Sequence, residues 1–278
     1  MARTTVPDLQ RLKAENHKIV MITAYDATMA RLVDAAGVDM VLVGDSLGMV
    51  VQGREDTLGV TLEDVAYHGR CVARGLKRAH LTLDMPFMSF QVSAQEALRN
   101  AGRLVQEGCA QSVKLEGGER SAEAIRAIVE AGIPVVGHVG LTPQSVHALG
   151  GFRVQGRSQE AAERIVRDAH AVEESGAFCI VLEAVPEDVA ARITEELAIP
   201  TIGIGAGVAS DGQVLVCYDL LGFDLSFQPR FVKRYAEMES AVVEAVRAYA
   251  AEVRSGAFPT ADHAFQRHQA PAVLKRVY

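Results

Sequence analysis

The chain has 278 residues, of which 49% are hydrophobic and 23% are charged, a balance typical of a folded globular protein. Its net charge of −7 argues against a nucleic-acid backbone or an anionic membrane surface as partner, because both attract basic patches. No apolar stretch approaches the roughly 20 residues of a membrane-spanning helix. The N-terminal segment also lacks the apolar core of a signal peptide, so we expect a cytoplasmic protein.

A strand–helix rhythm runs along most of the chain. Amphipathic helical segments end near a glycine, as at Gly37, Gly108, Gly132 and Gly176, and a short β-branched apolar run follows each one. Such runs are typical of strands that are buried on both faces of a parallel sheet. Eight strands are predicted, over residues 19–25, 40–44, 81–83, 112–115, 134–138, 179–182, 200–204 and 213–217.

Capping signals mark the start of several helices between these strands. Thr61 with Asp64 and Ser93 with Glu96 match the capping box, and Pro186 fits a first helical turn. Eight strand–helix alternations favour a closed (β/α)8 TIM barrel, which needs roughly 250 residues. A doubly wound open sheet is the alternative, but no complete G-x-G-x-x-G follows the first strand.

We therefore expect one barrel domain over residues 1–278, with an N-terminal helix. After Pro229 the pattern predicts one long helix, followed by a polar tail over residues 260–278. The longest interruption is the loop at residues 140–158, between the fifth and sixth strands. A loop of this length in a compact domain is typical of one that covers a functional site.

Six consecutive predicted strands end in a carboxylate or an imidazole, at Asp26, Asp45, Asp84, Glu116, His138 and Glu183. The reactive groups of a (β/α)8 barrel come from these carboxyl ends and the loops that follow them. Carboxylates gathered there repel one another and lose hydration unless a cation is present. Lys114 supplies one positive charge, since it lies two residues before Glu116 and on the same face of its strand. A bound metal ion would supply the rest.

Magnesium fits this rim best, because it takes one or two carboxylates together with water and substrate oxygens. Asp45 and Asp84 are the predicted ligands of one ion per subunit, with Glu116 as a direct or water-mediated third. Zinc or copper would require more histidine or cysteine than the rim offers. Each aspartate also has a local alternative: Asp26 and Asp45 fit helix caps, and Asp84 fits the turn before Pro86.

A metal held by carboxylates suits a 2-oxo acid, whose keto and carboxylate oxygens can chelate the ion and so ease formation of an enolate. Glu183 is the predicted base, because apolar neighbours make a carboxylate a stronger base. His138 would orient the substrate or shuttle a proton, or else simply be held by the following loop. His17, His80, His170 and His268 are expected to be solvated.

Eight segments carry a resemblance to a known family: ITAYD (22–26), VGDSLGM (43–49), DMPFMS (84–89), VKLEGGE (113–119), GHVGLTPQS (137–145), GGFRVQGR (150–157), VLEAVP (181–186) and IGIGAG…DGQVLV (202–216). In this order they resemble the ketopantoate hydroxymethyltransferase family over most of residues 4–265. The stretch 223–229 and the tail beyond Gln266 follow no pattern of that family, so no role is assigned to them.

The resemblance implies a barrel of the phosphoenolpyruvate/pyruvate superfamily and transfer of a one-carbon unit from 5,10-methylenetetrahydrofolate to 3-methyl-2-oxobutanoate. It also implies cytoplasmic homo-oligomers, often decamers. By position it makes Asp45, Asp84 and Glu116 the acidic groups at the magnesium and Glu183 the proton acceptor. The implied contacts to the oxo acid are Asp45, Ser46, Asp84 and Lys114, to which His138 is added from its place on the rim.

Two other classes of protein fit parts of the pattern. A carbon–carbon lyase or mutase on the same barrel would share the acidic magnesium rim, although no KKCGH-like loop occurs in the chain. A barrel without activity, kept as a scaffold, would have no reason to retain like charges at one rim.

Overall fold

The computed structural model describes residues 3–226 and 228–265. Eight parallel strands close into a barrel in chain order, with β8 paired to β1. The barrel and strand positions predicted from sequence are therefore confirmed, each boundary to within two residues. The strands are β1 Ile19–Thr23, β2 Met40–Val43, β3 His80–Asp84, β4 Ser112–Glu116, β5 Val135–Gly140, β6 Cys179–Glu183, β7 Thr201–Ile204 and β8 Gly212–Leu215.

Helices follow seven of the eight strands and form the outer layer. Across the described residues β7 leads into β8 without a helix, so one of the eight predicted strand–helix alternations is absent. They are α1 Val6–Ala14, α2 Ala27–Ala35, α3 Leu47–Val50, α4 Leu62–Gly75, α5 Ala94–Gly108, α6 Ala122–Glu130, α7 Val146–Leu149, α8 Gln159–Glu174, α9 Glu187–Glu196, α10 Cys217–Leu221 and α11 Met238–Ser255. Across the described ranges, no helix is both long and apolar enough to cross a bilayer.

The apolar core has two layers, as expected for strands buried on both faces. One layer lies between the strands and the helices, and it includes Leu83, Leu104 and Ile125. The other lies inside the barrel, where Met21 and Met40 pack with Leu9 of α1. Helix α1 thus closes the barrel at the amino ends of the strands and leaves the carboxyl ends for the site.

Most of the predicted caps are present. Thr61 forms the reciprocal capping box with Asp64 at α4. Ser93 caps α5 by accepting from the Glu96 backbone N–H, but no reciprocal bond from the Glu96 side chain forms. Pro186 lies one position before the first residue of α9.

Two further sequence expectations are wrong. The long C-terminal helix begins at Met238, so the residues just after Pro229 are not helical. His80 is not solvated: it is buried in β3, where its Nε2 lies 2.9 Å from the Ser112 hydroxyl. The expectations for residues 266–278, which include His268, fall outside the described residues.

Candidate active site

Asp45 and Asp84 lie side by side at the carboxyl ends of β2 and β3. The Asp45 backbone N–H donates to Asp84 Oδ2 at 3.0 Å, and both side chains are buried. Gly44 permits this approach, because a Cβ there would lie 3.3 Å from Asp84 Oδ2 and 2.8 Å from Ser46 Oγ. The two predicted metal ligands therefore share one small buried region.

Lys114 reaches the same region from the neighbouring strand. The register pairs Lys114 with Asp84, and the ammonium forms a buried ion pair with Asp84 Oδ1. Burial works to lower the pKa of Lys114, but Asp84, Asp45 and Glu116 outweigh it and raise that pKa. The lysine therefore stays charged at the centre of the acidic rim.

Glu116, His138 and Glu183 form the next part of the rim. The register places Glu116 opposite His138. His138 Nδ1 lies 3.6 Å from Glu116 Oε1, and its Nε2 lies 3.1 Å from Glu183 Oε2. Burial and then the charge of Lys114 lower the pKa of His138, so the imidazole between these two carboxylates is neutral.

The two glutamates differ in access to solvent. The side chain of Glu116 is 2% exposed and that of Glu183 is 18% exposed. Glu116 Oε2 also accepts the Gln144 backbone N–H at 3.1 Å. Of the two carboxylates, Glu183 is the one that an incoming substrate can reach more easily.

Gln144 is a residue at this site that the sequence reading did not single out. Its Nε2 donates to Asp45 Oδ2 at 2.9 Å and to the Met85 carbonyl at 3.0 Å, while its Oε1 accepts from Gln91 Nε2 at 3.1 Å. It comes from the long loop after β5, in the 3-10 helix Pro143–Ser145. Two signals pointed toward it: the prediction that this loop covers a functional site, and the place of Gln144 within GHVGLTPQS (137–145), one of the segments that carry the family resemblance.

Strand β1 contributes a hydroxyl and no carboxylate. Asp26 caps α2 by accepting from the backbone N–H groups of Thr28 and Met29, so its local alternative is the correct one. Tyr25 instead reaches Ser46, with 2.9 Å between their hydroxyl oxygens. Ser46 thus lies at the rim beside Asp45, held by a hydrogen bond from the first strand.

The buried charges at the rim are unbalanced. Burial and then the charge of Asp84 raise the pKa of Asp45 to about 7. Burial and then Asp45 raise the pKa of Glu116 well above its usual range. Three carboxyl groups therefore surround the single ammonium of Lys114, and the raised pKa values mean that Asp45 and Glu116 hold protons readily. A divalent cation would supply the two positive charges needed for all three groups to be ionised together.

The ligand chemistry of the rim fits magnesium better than a metal held by protein groups alone. Within residues 3–226 and 228–265, no three acidic, histidine or cysteine side chains are gathered tightly enough to form a metal centre. Magnesium usually keeps several waters and takes one or two carboxylates together with substrate oxygens. Asp45 and Asp84 would meet that requirement, and Glu116 would then act through water.

One cavity opens onto the rim, and a second shares Phe87 with it. The first, which we call the Phe90 pocket, has a volume of about 270 Å³ and is lined by Phe87, Phe90, Gln91, Glu116, Arg120, Ser121, Gln144 and Ser145. The second, the Arg103 groove, is more open, and its lining includes Thr61, Glu63, Phe87, Met88, Asn100 and Arg103. Glu116 and Gln144 line the Phe90 pocket and do not line the Arg103 groove.

Solved structures of other enzymes share this closed parallel barrel. The solved structure of phosphonopyruvate hydrolase in complex with oxalate and Mg²⁺ superimposes with a TM-score of 0.61 at 15% identity, covering 93% of each chain. That of 2,3-dimethylmalate lyase, a member of the phosphoenolpyruvate mutase/isocitrate lyase superfamily, gives 0.60 at 17% identity, covering 96% of this chain and 93% of the other. At these identities the likeness shows the fold alone.

The chain belongs to the ketopantoate hydroxymethyltransferase family, whose model matches residues 3–261. The 3-methyl-2-oxobutanoate hydroxymethyltransferase of Syntrophotalea carbinolica is 58% identical over 263 residues, covering 95% of this chain and 98% of the relative. That of Syntrophomonas wolfei is 51% identical over the full length of both chains. The chain is thus a transferase, as the sequence resemblance indicated, and the lyase and scaffold alternatives are set aside.

Proposed function

We propose that this chain transfers a hydroxymethyl group from 5,10-methylenetetrahydrofolate to 3-methyl-2-oxobutanoate on the route to pantothenate. One water is consumed, and the products are 2-dehydropantoate and tetrahydrofolate. The observation that carries the proposal is similarity along the whole chain, at 51–58% identity, to enzymes named for this activity. The buried acidic rim supports it, because such a rim suits a chelating oxo acid.

Asp45 and Asp84 are the proposed ligands of one magnesium ion, with Glu116 reaching it through water. When bound, magnesium would act as a Lewis acid on the keto oxygen of the substrate. Lys114 would offset the charge of Asp84 and hold the substrate carboxylate. Ser46, fixed by the Tyr25 hydroxyl, would donate a hydrogen bond to the same substrate.

Glu183 is the proposed base that removes the proton from the branched carbon of the oxo acid. It is more accessible than Glu116, and it lies at the end of β6 within 3.1 Å of the neutral His138 imidazole. His138 would fix the orientation of the Glu183 carboxylate and share its proton. The carbanion formed by proton removal then attacks the methylene carbon of the donor, and one of the two carbon–nitrogen bonds of that carbon breaks as the new carbon–carbon bond forms. The consumed water supplies the hydroxyl that replaces the second carbon–nitrogen bond and the hydrogens that the two nitrogens regain, so that 2-dehydropantoate and tetrahydrofolate are released.

We also propose that the enzyme is a cytoplasmic homo-oligomer, of which the family resemblance suggests a decamer. Support comes from α11, which has no buried residue. It exposes Val242, Val246, Tyr249 and Val253 at spacings of four, three and four residues, which place them on one side of the helix. A second copy of the chain is the occupant that we propose for this apolar stripe.

The test measures two reactions. Tetrahydrofolate should form only when oxo acid, methylenetetrahydrofolate and magnesium are all present. Without the donor, the enzyme should still exchange the proton of the branched carbon with deuterium from solvent. Glu183→Gln should slow this exchange by about 100-fold or more, since general-base catalysis contributes about that much. Exchange at the wild-type rate in Glu183→Gln would exclude Glu183 as the base.

A further inference from the structure

The Phe90 pocket reaches the rim from the side of β4 and the long loop. Its inner wall includes Glu116 and Gln144, both of which are buried. Gln144 in turn donates to Asp45 at 2.9 Å. A molecule seated in this pocket therefore lies directly against the proposed oxo-acid site, where the second substrate of a one-carbon transfer has to be.

The walls of the pocket suit a flat ring with a polar edge. Phe90 is buried and Phe87 is 39% exposed, so an aromatic side chain lies deep in the wall and another lies near the opening. Gln91 and Gln144 add amide groups between the aromatic walls and the rim. Aromatic walls with a few fixed polar groups are typical of sites for flat heterocycles.

The volume limits how much of a ligand the pocket can bury. Pockets that enclose a whole drug-sized molecule run from about 300 Å³ upward. At about 270 Å³, this one is large enough for a bicyclic ring but not for a longer molecule that carries such a ring. The remainder of a longer ligand would extend past the mouth toward solvent.

Arg120 lies at that mouth and is exposed. The Asp168 carboxylate senses its charge but forms no ion pair with it. Arg120 Nη2 donates to Ser145 Oγ at 2.9 Å, and Arg120 forms no ion pair within the described part of the chain. The turn that carries it is fixed, because Ser121 Oγ donates to the Glu116 carbonyl at 2.8 Å and Glu119 N–H donates to Asp168 at 2.9 Å. A guanidinium held in this way is suited to bind an anionic group, in particular a carboxylate.

The Arg103 groove lacks this feature. Arg103 is paired with Glu63 at 3.0 Å and with Glu107 at 2.9 Å, so its charge is already neutralised. Although the two cavities share Phe87, only the Phe90 pocket combines contact with the rim and an available positive charge. Arg103 is therefore a matched control for Arg120.

We propose that the Phe90 pocket binds the reduced-folate donor, with its pterin ring between Phe87 and Phe90 and its glutamate carboxylates on Arg120. The inference rests on the proposed function and names where the second substrate of that reaction binds. The donor has all three required parts: a flat bicyclic ring, a linking segment and an anionic tail.

The experiment compares two donors, methylenetetrahydrofolate and methylenetetrahydropteroate, which lacks the glutamate. For the wild type we expect KM to be about tenfold higher for the pteroate donor. Arg120→Ala should raise KM for the folate donor about tenfold and no longer distinguish the two donors, with KM for the oxo acid unchanged. Arg120→Lys should fall between, because lysine keeps the charge without the planar fork.

Arg103→Ala serves as the control and should distinguish the donors as the wild type does. The proposal is overturned if Arg120→Ala still favours the folate donor by the wild-type factor, or if Arg103→Ala loses the preference instead. A wild type that forms no tetrahydrofolate from the two substrates would instead overturn the proposed function. The two failures are thus distinguishable.

Discussion

Gln144 uses every hydrogen-bonding atom of its side chain at the rim. Its amide links Asp45, the Met85 carbonyl and Gln91, and its backbone N–H holds Glu116. Groups that orient a metal ligand commonly affect metal affinity by 10- to 100-fold. Gln144 is therefore a positioning residue for the proposed magnesium ligands.

Gln144→Ala should raise the magnesium concentration that half-saturates the protein by about tenfold or more. The measurement is the thermal midpoint as a function of magnesium chloride, which needs no turnover. Gln155→Ala is the control, since Gln155 lies on the same long loop and donates to the Arg153 carbonyl at 2.9 Å. Equal half-saturation in the two variants would show that Gln144 does not position Asp45.

The pKa of Asp45 predicts how magnesium binding depends on pH. Its pKa in the metal-free folded state is raised to about 7, above the usual value of 3.8. The folded state thus holds this proton more tightly than the unfolded state, so metal-free stability falls as pH rises from about 4 through 7. Magnesium replaces the proton, so its stabilising effect should grow over the same range.

Thermal midpoints with and without magnesium at pH 5.5 and pH 8 test this prediction. The increase in thermal midpoint caused by magnesium should be clearly larger at pH 8 than at pH 5.5. In Asp45→Asn this increase should be smaller and should depend less on pH. A magnesium shift that is the same at both pH values would contradict the assignment of Asp45 as a ligand that binds protons in competition with the metal.

Helices α4 and α5 pack closely behind β3. A Cβ at Gly69 of α4 would lie 2.6 Å from both the Gly108 carbonyl oxygen and Leu83 Cδ1. Gly108 is the last residue of α5, and the left-handed cap conformation that glycine often supplies is adopted by Cys109 instead, with φ of 63°. The glycine at 108 therefore serves the packing against Leu83, since a Cβ there would lie 2.5 Å from Leu83 Cδ1.

Gly69→Ala should destabilise the fold by about 1–3 kcal/mol, because the backbone of α5 has to move away. Gly102→Ala, on α5, is the matched control: nothing lies within 4 Å of its added Cβ. That substitution should stabilise the helix by about 0.5–1 kcal/mol. Urea unfolding midpoints measure both effects, and a Gly69→Ala midpoint at or above that of the wild type would refute the close packing.

At the scale of the whole molecule, α11 lies apart from the barrel core. Val246→Glu should lower the mass of the assembly in light scattering, because the exposed stripe is the proposed contact with a second copy. Ala251→Glu adds the same charge to the opposite face of α11 and should leave the mass unchanged. If both variants, or neither, change the mass while circular dichroism stays constant, the stripe is not the contact.

Local patterns were sufficient to predict the barrel and much of its rim. Strands buried on both faces are apolar along their whole length, so the eight strands could be recognised as short apolar runs. Because all strands of a (β/α)8 barrel are parallel, their carboxyl ends were expected at one face of the barrel. Asp45, Asp84, Lys114 and Glu116 were expected together for this reason, and the structure places them together. Their roles with magnesium and substrate remain predictions.

Tertiary structure alone decided the features that depend on contacts between distant segments. Gln144 enters the rim from an irregular loop, and His80 is buried because Ser112 of the next strand bonds to its ring. Arg120 reaches the mouth of the Phe90 pocket because Gly117, with φ of 110°, turns the chain after β4. Hydrophobic periodicity reports which face of a segment is buried, whereas these contacts depend on strand register and loop path, which no local pattern encodes.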